Sequence, residues 1–187
     1  MGTLVVAGIL LFTGCEKKMS EREKLSYREQ GAEISRMTYE KLSGTLVEKM
    51  QAGGIPEALG YCNAAAQDLT LEMAEEHRVS IKRTSLMTRN QLNAPDEEEL
   101  RILNLYRSEK EAGRFPEAIV EIDAGGNPHY YAPILLEKKC LPCHGRVGIE
   151  VPQAVDSMIR SYYPDDRAVG FRENDLRGIW SIGFLEN

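Results

Sequence analysis

The sequence predicts an α+β fold: an antiparallel sheet with flanking helices and a long helix near the N-terminus. Three observations carry this. Apolar residues recur at helical intervals in the first half of the chain. They alternate at strand intervals around a turn in the second half. Helices also precede the strands instead of separating them. The 187 residues suit one domain, and 42% apolar with 28% charged is ordinary globular usage. A net charge of −6 gives no basic surface for nucleic acid.

Residues 4–12 (LVVAGILLF) form an unbroken apolar run, too short for a membrane-spanning helix of about 20 residues but suited to a secretory signal. The run ends Phe12-Thr13-Gly14-Cys15. This resembles a bacterial lipoprotein signal, with Cys15 as the lipidated residue and Phe12 where a leucine is usual. An uncleaved anchor helix is the alternative. Either way the chain is expected to be exported to the bacterial periplasm and tethered at a membrane surface. Residues 1–14 are then signal, 15–30 a polar stalk, and 31–187 the folded domain.

Residues 19–52 lack proline and space Ile34, Met37, Leu42, Leu46 and Met50 helically, so they predict a long helix that Gly53-Gly54 ends. Pro56 suits the first turn of a second helix, whose stripe of Ile55, Leu59, Cys62, Ala66, Leu69 and Met73 turns Cys62 inward. Val79 and Ile81 begin a short strand through Thr84. Asn93-Ala94-Pro95-Asp96 starts a helix carrying Leu100, Leu103 and Tyr106, with Glu97, Glu98 and Glu99 at its positive end. Residues 118–122 and 129–136 predict a hairpin about the turn 123–127, with Pro133 marking an edge or bulge. A last strand is expected over 179–185.

Cys140-Leu141-Pro142-Cys143-His144 is a C-x-x-C-H motif. Two thiols one turn apart can form thioethers to the vinyl groups of one haem, and the adjacent imidazole then falls beneath the iron. Covalent attachment needs export in bacteria, which the signal supplies independently. One motif implies one haem c. Three other readings compete, chance occurrence of the motif among them. A redox-active C-x-x-C normally opens a helix in a thioredoxin-like βαβ unit, which this sequence lacks. A zinc site would need Cys62 with His144 to complete a Cys₃His set. For the sixth position on iron, spacing leaves Cys62, His129 and open coordination level. His77 lies among Glu75, Glu76 and Arg78, on an expected solvated face, and Met73 reads as core.

Four ordered blocks resemble a known family: residues 58–63 (ALGYCN), 82–90 (KRTSLMTRN) leading to 93–95 (NAP), 131–145 (YAPILLEKKCLPCHG) and 163–178 (YPDDRAVGFRENDLRG). Gln91-Leu92 stands where the family often has a proline. The chain is similar to the exported c-type haem domain with a PAS-like fold, first described from a cyanobacterial haem protein and found as a sensor in bacterial histidine kinases and chemotaxis receptors. The resemblance implies a PAS-like antiparallel sheet and a Cys/His-ligated haem, with Cys62 and His144 on the iron. Arg83, Arg89, Arg146, Arg172 and Arg177 fall in or beside the blocks as candidate partners for the haem propionates. Asp165, Asp166 and Asp175 among them could pair with arginines to close the C-terminal segment over the core.

A thiolate stabilises ferric iron, so a low potential is expected, and thiolate release on reduction would open a site for a diatomic gas. The leading expectation is redox or gas sensing, with the signal passed to a partner protein. A small periplasmic electron carrier is the alternative. An enzyme is not expected, because no distal acid–base set is visible and bound Cys62 would block the site. By analogy with receptor sensors, a homodimer through the N-terminal helix is a further expectation.

Overall fold

The computed structural model describes residues 18–185. The expected signal and lipidation segment, Cys15 included, lies outside the described residues. Helix α1 (Glu21–Ala64) opens on a capping box: the Ser20 hydroxyl accepts from the Glu23 N–H, and the Glu23 carboxylate accepts from the Ser20 N–H at 2.8 Å. Gly31, Ile34, Ser35, Thr38 and Leu42 form its buried face. The backbone leaves helical values at Gly53 and Gly54, where Gly54 has φ 68 and ψ −155, a conformation open to glycine and strained for other residues. Pro56 then occupies the first turn of the resumed helix, where its missing N–H costs nothing. The stop and start legible in the sequence are thus a kink inside α1.

The second expected helix breaks at Ala65 and continues as α2 (Ala66–His77), which ends at Arg78 with φ 55. The apolar stripe survives the break. Leu59, Ala66 and Met73 are buried, and Ile55, Cys62 and Leu69 half-buried.

Strand β1 (Val79–Thr84) and helix α3 (Glu97–Glu111) follow. In α3, Glu99, Ile102, Leu103 and Tyr106 face inward, while Leu100 is 42% exposed. Glu99 is held there by two partners. Its carboxylate accepts from the Asp96 N–H at 2.9 Å and from Lys82 Nζ at 2.6 Å, which pins the first turn against β1. The hairpin forms as β2 (Ile119–Ile122) and β3 (Pro128–Leu135). Then come α4 (Leu141–His144), α5 (Gln153–Tyr162) and β4 (Leu176–Phe184). Helix α5 was not predicted. Its buried face carries Val155, Asp156 and Ile159.

All strand pairs are antiparallel, in the order β1-β4-β3-β2. The α+β architecture with a long N-terminal helix is therefore as the sequence predicts. Pro133 pairs with Ile179 beyond the end of β2, so its missing N–H faces no neighbouring strand, and a register shift follows at Ile134/Leu135.

One sheet face, with Ile81, Tyr130, Ala132, Trp180 and Ile182, packs on α1 and α2. The other presents Tyr131 and Ile179 to Ile102, Leu103 and Tyr106 of α3. Each such side chain contributes about 1.5–3 kcal/mol on full burial. Helix and sheet approach closely at Gly31, where an added Cβ would lie 2.3 Å from Cγ of Tyr130. Tyr27 packs its ring 4.8 Å from that of Phe184, and Arg28 donates to the Ala118 carbonyl. Part of the segment expected as a stalk is therefore docked on the sheet. Leu59 holds α5 through Val155, Ile159 and Tyr163, and Leu136, Ala168 and Phe171 close the loop over α4.

Candidate functional site

The C-x-x-C-H segment leaves the end of β3 through a 3₁₀ turn (Lys138–Cys140) that runs directly into α4. The Gly145 N–H donates to the Leu141 carbonyl at 2.8 Å, closing this single turn. A side chain at Gly145 has no room: its Cβ would lie 2.7 Å from the Leu141 oxygen and 2.6 Å from Cβ of Glu150. The loop before β4 then folds back over the motif. Gly170 N–H donates to the Gly145 carbonyl at 2.8 Å, and Phe171 N–H to the His144 carbonyl at 3.0 Å.

His144 Nδ1 lies 2.7 Å from the Ala168 carbonyl oxygen. A carbonyl only accepts, so Nδ1 carries the proton and Nε2 keeps its lone pair. Burial pushes the His144 pKa well down, and the nearby Arg177 and Arg89 charges push the same way. The imidazole is thus neutral near pH 7, oriented, and a donor through Nε2. That is the state a metal-ligating histidine needs.

Cys62 sits near the end of α1, half-buried against the cluster that includes Tyr61, Tyr130 and Trp180. Burial raises its pKa, and charge on Cys143 adds to this, whereas the Arg83 and Arg89 guanidiniums favour the thiolate. The fold therefore brings Cys62 into electrostatic contact with the motif from far away in sequence. Burial likewise raises Cys140 and Cys143. All three cysteines are free thiols. Among the described residues no three His, Cys, Asp or Glu side chains converge as a metal set, which removes support from the zinc reading.

The arginines divide. Arg146 is taken by Glu150 and Arg89 by Asp166. Arg172 is exposed, and its backbone N–H is held by Asp175 at 2.6 Å. Arg83 and Arg177 have no ion pair among the described residues. Arg83 lies over the Trp180 ring at 5.9 Å, and its pKa is lowered by burial. Arg177 lies over the Phe171 ring at 5.4 Å and donates to the Met87 carbonyl at 3.2 Å. Burial pushes its pKa down to about 10. Two cations without carboxylates beside two thiols, a neutral imidazole and a third thiol fit a haem with two propionates, two vinyl groups and two axial positions.

His129 is not at this site. It stacks on Tyr131 at 4.4 Å and shares a 2.8 Å hydrogen bond with Ser181, on the α3 face of the sheet. His77 was expected on a solvated face, but its Nε2 is buried, with no hydrogen-bond partner among the described residues. Met73 is core, as read from the sequence. The Ala168 carbonyl was missed, because a backbone acceptor leaves no residue-type signal. The expected closure of the C-terminal segment by an aspartate is found at Asp166, joined to Arg89.

The profile of the Tll0287-like family (Tll0287) matches residues 16–184. Among solved structures, the chain is similar to the cyanobacterial heme-protein Tll0287, at 23% identity and a TM-score of 0.59. The match covers 84% of this chain and 96% of that one. At that identity the likeness concerns the fold. No curated protein matches.

Proposed function

Because the chain belongs to the Tll0287-like family, we propose that it is a haem-binding protein carrying one haem c, attached through Cys140 and Cys143, with His144 and Cys62 as the iron ligands. The 2.7 Å contact from His144 Nδ1 to the Ala168 carbonyl carries this reading, because it leaves Nε2 as a prepared donor beside the paired thiols. Cys140 and Cys143 supply thioether sulfurs, each S–H adding across one vinyl group. Arg83 and Arg177 take the propionates. Bound haem supplies a one-electron couple at iron and, where a ligand leaves, a site for a diatomic gas.

Burial and Cys143 raise the Cys62 pKa and Arg83 and Arg89 only partly oppose them, so holding Cys62 as a thiolate would fall to the iron. On haem iron, a Cys62 thiolate would favour the ferric state and so lower the potential, and its sulfur would be more readily protonated in the ferrous state. Release would free the last turns of α1, next to the break at Ala65. A helix end that iron holds in one oxidation state only is the kind of element a sensor needs. We therefore assign redox or gas sensing in the cell envelope, with the chain tethered through Cys15 and the signal received by a partner protein.

Stopped-flow reduction with and without carbon monoxide tests the assignment. Sensing requires gas binding only after reduction, with loss of the thiolate absorption. Rapid reversible reduction with both ligands retained would instead make the protein an electron carrier.

A further inference from the structure

Arg89 and Asp166 form a buried ion pair, with Nε–Oδ1 at 3.1 Å and side chains 11% and 0% exposed. The pair does more than neutralise itself. Arg89 Nη2 donates to the Cys143 carbonyl at 2.6 Å and to the Ala168 carbonyl at 3.3 Å. It also reaches the second Asp166 oxygen at 3.3 Å. Asp166 Oδ1 in turn accepts from the Ala168 N–H at 3.0 Å. One guanidinium thus grips the peptide that leads into His144 and the carbonyl that holds the His144 ring.

A buried ion pair is weak evidence of stabilisation, since apolar replacements often serve as well. It does supply fixed direction. The planar fork of an arginine sets several acceptors in one geometry, which the point charge of a lysine does not. Groups that orient a metal-ligating histidine typically alter affinity or activity roughly 10–100-fold when changed.

We propose that Arg89 and Asp166 are positioning residues that clamp the Ala168 carbonyl against His144 Nδ1 and so fix the imidazole plane and the donor strength of Nε2. Arg89 acts through His144 and not as a propionate partner. The proposal rests on the haem reading above.

The test uses the haem-loaded chain and its variants Arg89→Lys and Asp166→Asn, with Arg146→Lys as a control in the neighbouring turn. Covalent haem is checked by haem staining of a denaturing gel, folding by a thermal melt, and ligand geometry by the ferric low-spin electron paramagnetic resonance spectrum. The clamp predicts covalent haem in all four. It predicts one set of g-values for the parent and for Arg146→Lys, and two or more sets for Arg89→Lys and Asp166→Asn. Arg89→Lys keeps the charge, so a purely electrostatic role leaves one set. A folded Arg89→Lys chain with the parent's single spectrum overturns the clamp and leaves the haem reading standing. Loss of folding in both variants also overturns it, by making the pair an element of the fold. If only one variant folds, its spectrum decides. A parent chain without covalent haem removes the haem reading and the clamp together.

Discussion

Cys62 and His129 lie on opposite faces of the sheet. Cys62 packs with Tyr130 and Trp180 on the α1 side, while His129 stacks on Tyr131 at 4.4 Å on the α3 side. Adjacent residues on a strand point to opposite faces, so Tyr130 and Tyr131 settle which side each candidate occupies. His129 is excluded from a ligand set that includes His144 and Cys62.

Cys62→Ser is therefore expected to change the ferric absorption spectrum and to raise the midpoint potential. The shift should be on the order of 0.1 V, a fraction of the roughly 0.8 V over which axial ligands move haem potentials. His129→Ala should leave both unchanged. Spectroelectrochemistry of the two variants checks this, and an unchanged Cys62→Ser spectrum would remove Cys62 from the iron.

Arg83 is a half-buried cation with no ion pair among the described residues. Removing its charge in Arg83→Gln favours ferric iron and should lower the midpoint potential by roughly tens of millivolts, the effect of one charge several ångströms away at an effective dielectric of about 20. Arg146→Gln should produce no comparable shift, because that charge is already paired with Glu150 and open to solvent. Equal shifts from both would show that Arg83 has no particular relation to the haem.

Gly31→Ala tests the seat of α1 on the sheet. The new methyl would fall 2.3 Å from the Tyr130 ring, so ring or helix must move. Overpacking of this kind costs about 1–3 kcal/mol and should outweigh the gain of about 0.5–1 kcal/mol from replacing glycine in a helix. Denaturant unfolding should give a lower midpoint with the slope unchanged.

The turn after the C-x-x-C-H motif carries a pH signature. Glu150 titrates at about 2 instead of its ordinary 4.5, held down mainly by the Arg146 guanidinium and also by the Arg146 backbone N–H. Folding therefore favours its ionised form. The contribution is fully present above the ordinary value and is lost as pH falls through about 2. Glu150→Gln should melt at a lower temperature than the parent at neutral pH, and the gap should close between about pH 4.5 and about pH 2. A gap constant across that range would rule out ionisation as its cause.

Much of the fold was legible because its signals are local. Gly53-Gly54 with Pro56 marks the point where α1 kinks, and Asp96 with the glutamates that follow marks the start of α3; both are short-range features. Pro133 announced its own bulge. Helix α5 was missed although Val155, Met158, Ile159 and Tyr163 stand at helical intervals; their partner Leu59 comes from a distant segment. At the site, the C-x-x-C-H spacing named the residues but not their preparation. The Ala168 carbonyl and the Arg89–Asp166 pair join segments far apart in sequence, and a backbone oxygen leaves no residue-type signature.

The central claim is that Cys140 and Cys143 hold one haem. Intact mass spectrometry of the chain purified after export with c-type haem maturation tests it most directly. The account predicts polypeptide plus one haem, retained under denaturing conditions and lost from the Cys140→Ser, Cys143→Ser double variant. A parent chain with the bare polypeptide mass, expressed where a known c-type cytochrome is fully loaded, would contradict it.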